Sequence, residues 1–298
     1  MNRFVIISDS TCDLKKELRE KYDVDYIPRH FTLDGVEYPA DLDWQKISIK
    51  DFYDAFREGK KYKSTQISEM QYEEKFRYYL EKGYDILSIS CSSGLSSSVK
   101  TSYIARDRLK KEFPESKIIC IDPLISGLGQ GLICIKASRM RAEGKTIDEV
   151  ADWIEKNKMR FNQEATVESL VYLKRAGRVS AVSAFFGGLL SVKPIIVADA
   201  LGRNVAVEKV KGRKNSLIRI AEKIADEIEV DECNEVLVSH ADCPEAAEEL
   251  TGYLKERIAD ERVEYYFENI GPIVGGSSGP GTVIAYCFGK DTRVEGDK

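Results

Sequence analysis

The residues best placed to do chemistry in this chain are hydroxyls. Three clusters fall in the first hundred positions: Ser8-Asp9-Ser10-Thr11, Ser64-Thr65-Gln66-Ile67-Ser68 and Ser92-Ser93-Gly94-Leu95-Ser96-Ser97-Ser98. Each follows a predicted strand, and two of the three lead into predicted helices. A hydroxyl beside a helix N-terminus donates to an anion, and the helix dipole favours negative charge there. For any single serine an ordinary helix cap accounts for the residue. One cap needs one hydroxyl, however, and Ser92 to Ser98 supplies five. No histidine belongs to any cluster, and Asp9 reads as the cap of a turn. The chain therefore reads first as a binder of an acidic small molecule and only second as an enzyme.

Other motifs fail on their spacing or their partners. Gly275-Gly276-Ser277-Ser278-Gly279 fits the G-x-S-x-G elbow of hydrolases, which needs a strand-to-helix turn and a later histidine. Both histidines of the chain, His30 and His240, come earlier. Gly144-Lys145-Thr146 resembles the end of a phosphate-binding loop, but Arg139 stands where the first glycine belongs. Gly127-Leu128-Gly129-Gln130-Gly131 lacks dinucleotide spacing and reads as close backbone packing. The stretch Gly275 to Gly281 reads as a glycine-rich loop offering free backbone N–H groups. Lys174-Arg175-Ala176-Gly177-Arg178 reads as a solvated helix end. At a domain cleft, Arg175 and Arg178 would instead face an acyl phosphate or a partner protein.

The elements that must hold these groups alternate. Phe4 to Ile7, Ile86 to Ser90 and Ile118 to Ile121 are apolar runs of the kind found in parallel strands buried on both faces. Between them fall helices from Leu14 to Tyr22, capped by Asp13, from Ile49 to Arg57 after Ser48, from Glu69 to Lys82 and from Ser97 to Lys111. Ser68 with Gln71, and Thr146 with Glu149, have capping-box spacing. Asp25 to Leu33 reads as one extended segment. Strands alternating with helices imply a mostly parallel sheet, with all three hydroxyl clusters at its carboxyl edge, where open α/β sheets bind ligands. The second half differs. Ser180 to Val192 reads as an apolar helix. Pro194 to Val197 and Val205 to Val210 read as a hairpin, so antiparallel pairing enters. The fold class is α/β, with two α/β domains, the first carrying a mostly parallel sheet and the second a mixed one. The boundary falls near residues 158–166, giving domains 1–160 and 161–298.

Composition narrows the classes further. The chain has 298 residues, 43% hydrophobic and 32% charged, with a net charge of −5. That balance leaves no footprint for nucleic acid and no polybasic segment for a membrane surface. No apolar run reaches bilayer length, and the N-terminal run is too short for a signal peptide. The seven cysteines are scattered and odd in number, without a Cys-x-x-Cys pair. Reduced thiols in a cytoplasmic protein, and no metal site or cofactor, are expected.

Taken in order, several segments resemble the DegV family of bacterial fatty-acid-binding proteins. They are Ile7-Ser8-Asp9-Ser10-Thr11-Cys12-Asp13-Leu14, the second and third hydroxyl clusters, and Tyr172 through Ser180. Leu190-Ser191-Val192-Lys193-Pro194-Ile195, Gly271-Pro272-Ile273-Val274 and Gly279-Pro280-Gly281-Thr282 complete the set. The resemblance implies two α/β domains enclosing a long-chain fatty acid such as palmitate, with the second closing over the ligand. It places the carboxylate-binding hydroxyls on Ser64 and Ser96, with Thr65, Ser97 and Ser277 as further ligand-binding candidates. It also implies a non-catalytic carrier that presents the acyl chain to a separate kinase, related to dihydroxyacetone kinases, which makes acyl phosphate. The chain departs from the family at Ile67, where proline is usual, and at Ser97, where glycine is usual. Pro123 replaces a serine and Ala176 a glycine. Many members carry a histidine, associated with the carboxylate and with phosphate transfer, at the position of Ser277. Ala181 to Leu190 reads either as lining of the acyl tunnel or as ordinary domain core. The alternatives to a carrier are an acyl or phosphoryl transferase using Ser96 or Ser277, and a regulatory protein that senses acyl chains.

Overall fold

The computed structural model describes residues 3–180 and 192–295. The chain begins with β1 (Phe4–Asp9), α1 (Lys16–Tyr22) and β2 (Val24–Ile27), then makes an excursion through β3 (His30–Leu33), β4 (Val36–Pro39), α2 (Ile49–Arg57) and β5 (Tyr62–Ser64). α3 (Glu69–Leu80), β6 (Asp85–Ile89), α4 (Ser98–Glu112), β7 (Ile118–Ile121), α5 (Leu128–Ala142) and α6 (Ile147–Asn157) follow. The second half contains β8 (Phe161–Thr166), α7 (Leu170–Ala176), β9 (Val179–Ser180), β10 (Val192–Ala198) and β11 (Asn204–Lys211). It ends with α8 (Arg213–Glu227), β12 (Glu235–His240), α9 (Pro244–Ile258), β13 (Glu264–Asn269), α10 (Pro272–Ser278) and β14 (Val283–Phe288).

The strands form three sheets. A parallel sheet runs β2-β1-β6-β7, and its central strands are buried throughout, as helices on both faces require. A mixed sheet of seven strands runs β13-β12-β14-β8-β10-β11-β9, and all of its strands lie at or beyond Phe161. The third sheet, β4-β3-β5, is small and antiparallel. α5 sits between the two large sheets and is buried on almost every side, from Leu128 to Met140. Its glycines permit this approach. A Cβ at Gly129 would strike the Ile125 side chain, and one at Gly131 would lie 2.7 Å from the Cys12 carbonyl. One apolar core, reaching from Phe4 to Phe288, joins the halves.

Local signals set most boundaries. Ser68 with Gln71 and Thr146 with Glu149 form reciprocal capping boxes on α3 and α6, and Ser48 caps α2. Four expectations need correction. Asp13 does not cap α1; it takes a left-handed conformation after a short 3-10 turn, and the helix starts at Lys16. Asp25 to Leu33 is not one strand. Pro28, which lacks an N–H, separates β2 in the parallel sheet from β3 in the small one. Gly275 to Gly281 is largely α10 rather than an open loop, so its amides are used internally. Gly275 N–H donates to the Gly271 carbonyl, and Gly281 N–H to the Ala241 carbonyl. Of the segment read as a helix from Ser180 to Val192, the two ends belong to β9 and β10, and residues 181–191 lie outside those described. The proposed tunnel lining Ala181 to Leu190 lies there too.

An aromatic cluster fixes the small sheet against the second half. Phe31 and Phe52 lie 5.3 Å apart, Phe52 and Phe56 5.1 Å, and Phe56 and Tyr62 5.4 Å between ring centroids. Phe56 also meets Tyr172 of α7 at 5.7 Å. The hydroxyls of Tyr53 and Tyr62 donate to the carbonyls of Ile270 and Pro272, each at 2.8 Å. A Cβ at Gly275 or Gly276 would collide with these two rings, which explains glycines in the middle of α10 despite their poor helix propensity.

Candidate functional site

The hydroxyl clusters meet at a cavity of about 460 Å³ between the two halves. That is within the range of roughly 300–1,000 Å³ usual for small-molecule sites. One wall comes from the first half. The loops after β1 and β6, both at the carboxyl edge of the parallel sheet, bring Thr11, Ser93, Ser96 and Ser97. Ser64 and Gln66 arrive from β5, which belongs to the small antiparallel sheet. The second hydroxyl cluster is therefore not at the edge of the parallel sheet, as expected, but reaches the same cavity from its side.

The other wall is apolar and is built on strands. Ile284 of β14 and Ile196 of β10 both face Ala165 of β8 across the sheet, so the three side chains form one row. Val167, Leu173, Val179, Ile273 and Val274 extend it. The small side chain of Ala165 leaves space in the middle of the row.

Each hydroxyl has a definite setting. Ser96 Oγ lies 3.0 Å from Ser98 Oγ and accepts the Ser98 N–H, while Ser98 Oγ accepts the Ile67 N–H at 3.2 Å. This chain ties the second and third clusters together. Ser97 occupies the N-cap position of α4 but makes no capping bond, so its hydroxyl is exposed at the positive end of a fifteen-residue helix. Ser92, by contrast, is structural. Its Oγ donates to the Gly202 carbonyl at 2.7 Å and accepts the Gly94 N–H. Asp9 brackets the strand ends; it accepts the Thr11 N–H at 2.8 Å and the Cys91 N–H at 3.0 Å.

The remaining candidates divide. Thr65 does not line the cavity. It is exposed just past the end of β5, and its Oγ1 donates to the His30 carbonyl at 3.1 Å. Ser277 lines the cavity from α10, with its Oγ donating to the Ile273 carbonyl at 3.2 Å, one turn back. Arg178 is exposed at the margin, where Nη1 donates to the Ala176 carbonyl at 2.6 Å. Arg175 is exposed on α7 and is not in the lining.

Sequence reading missed Arg29. It lies in the crossing between β2 and β3, is only 6% exposed and lines the cavity. The signal was available: a cation inside Tyr26-Ile27-Pro28-Arg29-His30-Phe31, a stretch otherwise suited to burial.

The described lining holds hydroxyls, amides and two arginines, but no carboxylate or imidazole. Its one thiol, Cys91, is pushed up to about 12, chiefly by burial and next by the charge of Asp9, which leaves it protonated and a poor nucleophile at neutral pH. His240, the later of the two histidines, is elsewhere. Its Nδ1 accepts the Cys243 N–H at 3.3 Å, its ring lies 5.2 Å from Phe267, and burial lowers its pKa. No helix among the described residues is long and apolar enough to cross a membrane. What the arrangement can do is hold an amphipathic molecule, with polar donors on one side and hydrocarbon on the other.

Comparison with known proteins agrees with this class. A family model described as an uncharacterised protein of the DegV family matches residues 3–289, and the chain belongs to that family. A DegV domain-containing protein of Clostridium perfringens is 34% identical over 295 residues, covering 98% of this chain and 99% of its own. Among solved structures, DegV of Bacillus subtilis, described as a fatty acid binding protein, is 27% identical with a TM-score of 0.81 over 97% of this chain and 100% of its own. A DegV family protein of Thermus thermophilus, described by its fatty acid binding, is 25% identical with a TM-score of 0.84 over 97% of this chain and 100% of its own.

Proposed function

We propose that this chain binds a long-chain fatty acid in the cavity, with residues 1–160 and 161–298 acting as two domains that close over it. The carboxylate is held by Ser64 and Ser96, with Ser97 beside them, and the acyl chain lies along the row Ile284, Ala165 and Ile196. The observation that carries this reading is the division of one cavity into a wall of donors and a wall of hydrocarbon. Energetics agree with it. A fully buried sixteen-carbon chain is worth about 11 kcal/mol gross at about 0.8 kcal/mol per methylene. Each hydrogen bond to a charged carboxylate adds about 1.5–3 kcal/mol. The tail therefore dominates affinity, and the hydroxyls set which end goes where.

The binding reading is preferred to a transferase because nothing described in the lining is suited to take a proton from Ser96. In the same reading the chain presents its ligand to a separate kinase of the dihydroxyacetone kinase type, with Arg175 and Arg178, both exposed, toward that partner. The direct test is denaturing extraction of the purified protein followed by lipid mass spectrometry. A stoichiometric long-chain fatty acid is expected. An extract without one, and no uptake of added palmitate or oleate, would remove the proposal.

A further inference from the structure

We infer that Arg29 is the fixed positive charge of the cavity and makes it select an ionised headgroup over a neutral one on the same hydrocarbon tail. This rests on the fatty-acid reading of the site and adds to it a residue that decides which class of lipid is held.

The backbone between β2 and β3 fixes where the side chain goes. Pro28 ends β2, and residue 29 turns into the small sheet. There its backbone N–H donates to Ser10 Oγ at 3.0 Å, and its Nε donates to the Thr65 carbonyl at 2.9 Å. Two of the three hydroxyl clusters thus grip this arginine from either side. The guanidinium is held inside the cavity wall, and the whole residue is 6% exposed.

No ion pair among the described residues includes Arg29. The contrast with other inward cations is plain. Lys193 pairs with Glu168 at 2.7 Å, and Arg203 pairs with Asp199 at 2.9 Å. Asp9, a buried acid at the end of β1, already spends one oxygen on Thr11 and the other on Cys91 N–H. A guanidinium cannot shed its proton, so burial without a counter-charge is costly and an entering anion relieves it. The charge is felt around it: burial pushes Tyr62, Tyr72 and Cys91 up, and Arg29 works against that push at all three.

The other polar groups of the wall do not discriminate. Serine hydroxyls and the Gln66 amide hydrogen-bond to an alcohol or an ester as readily as to a carboxylate. Arg178, the second cation of the lining, is exposed and therefore screened by solvent and salt. Only a buried charge makes an acid differ strongly from an alcohol of equal length.

The test is a binding titration of wild type, Arg29→Gln and Arg29→Lys against palmitate and hexadecanol at neutral pH. It is paired with a carbon-13 NMR titration of the carboxyl of bound palmitate. Wild type should prefer palmitate by at least about tenfold. Arg29→Gln should weaken palmitate by about 10- to 100-fold, leave hexadecanol within about twofold and so erase the preference; Arg29→Lys should restore part of it. The bound carboxyl should titrate below the free acid in wild type and move up in Arg29→Gln. Unchanged palmitate binding in an Arg29→Gln protein that still takes up hexadecanol would overturn the inference alone. Should that variant not fold, wild type decides: equal affinity for acid and alcohol, or a bound carboxyl titrating at or above the free acid, would overturn it. Wild type that binds neither lipid would bring down the fatty-acid reading and this inference with it.

Discussion

The two walls of the cavity are made in different ways. The polar wall is assembled from loop residues on separate elements, drawn together by side-chain hydrogen bonds such as Ser96–Ser98–Ile67 and Arg29–Thr65. The apolar wall rests largely on one continuous sheet, where the register of β14, β8 and β10 sets Ile284, Ala165 and Ile196 side by side. Losing one loop hydroxyl removes one donor and leaves its neighbours. Changing a side chain in the row disturbs three strands. On the proposed reading the sheet supplies affinity and the loops supply orientation, so the two should respond very differently to change.

The largest expected effect tests the apolar wall through the ligand. Replacing palmitate by decanoate removes six methylenes, about 5 kcal/mol at about 0.8 kcal/mol each, so affinity should fall by more than about 1,000-fold. A titration series over chain length measures this. A flat response would mean that the tail lies outside the row Ile284, Ala165 and Ile196, and the comparison would lose its apolar half.

The next effect is smaller and belongs to the polar wall. Ser64→Ala and Ser96→Ala should each cost about 1–3 kcal/mol in palmitate binding, the worth of one donor to a carboxylate. The positive end of α4 and the other hydroxyls remain in both variants. The loss should be similar for palmitate and decanoate, because headgroup and tail contribute separately. If neither substitution changes affinity, the carboxylate sits elsewhere and the assignment of Ser64 and Ser96 has to be given up.

How far this was readable in the sequence depended on whether a residue's partners are local. β7 is an unbroken apolar run, and α3 and α6 carry their own capping boxes. Those elements match expectation closely. β8 was not legible, because Phe161-Asn162-Gln163-Glu164-Ala165-Thr166 looks polar yet is buried throughout. Its polar side chains find partners far along the chain: Asn162 donates to the Lys290 carbonyl at 2.9 Å, Gln163 to Asn204 at 3.1 Å, and Glu164 meets Lys223 at 2.9 Å. α10 was hidden for a related reason. Its glycines answer to Tyr53 and Tyr62, more than 200 positions away, not to the local chain. In the site, the hydroxyl clusters and the family resemblance together pointed to Ser64, Thr65, Ser96, Ser97 and Ser277; all but Thr65, whose hydroxyl turns to the His30 carbonyl, line the cavity. Arg29 was passed over because only the fold shows that its carboxylate partner is missing.

The smallest expected change in affinity concerns Ser277, which sits on α10 where the two walls meet. Its hydroxyl is turned back to the Ile273 carbonyl within its own helix, so it adds little to the hold on a headgroup. Ser277→His introduces the side chain that many family members carry there. Removing the Ser277 back-bond costs α10 little, and the new ring enters the cavity that Ser277 lines. Palmitate affinity should therefore change by less than about threefold, or on the order of 0.6 kcal/mol. Acyl phosphate formation with a fatty acid kinase should rise, because an imidazole beside the carboxylate supplies the acid–base group absent from the described lining. A titration and a kinase assay on the same preparation read both. A large gain in affinity would show that Ser277 belongs to the polar wall after all. Unchanged affinity with no gain in phosphate transfer would mean that residue 277 does not govern the kinase role.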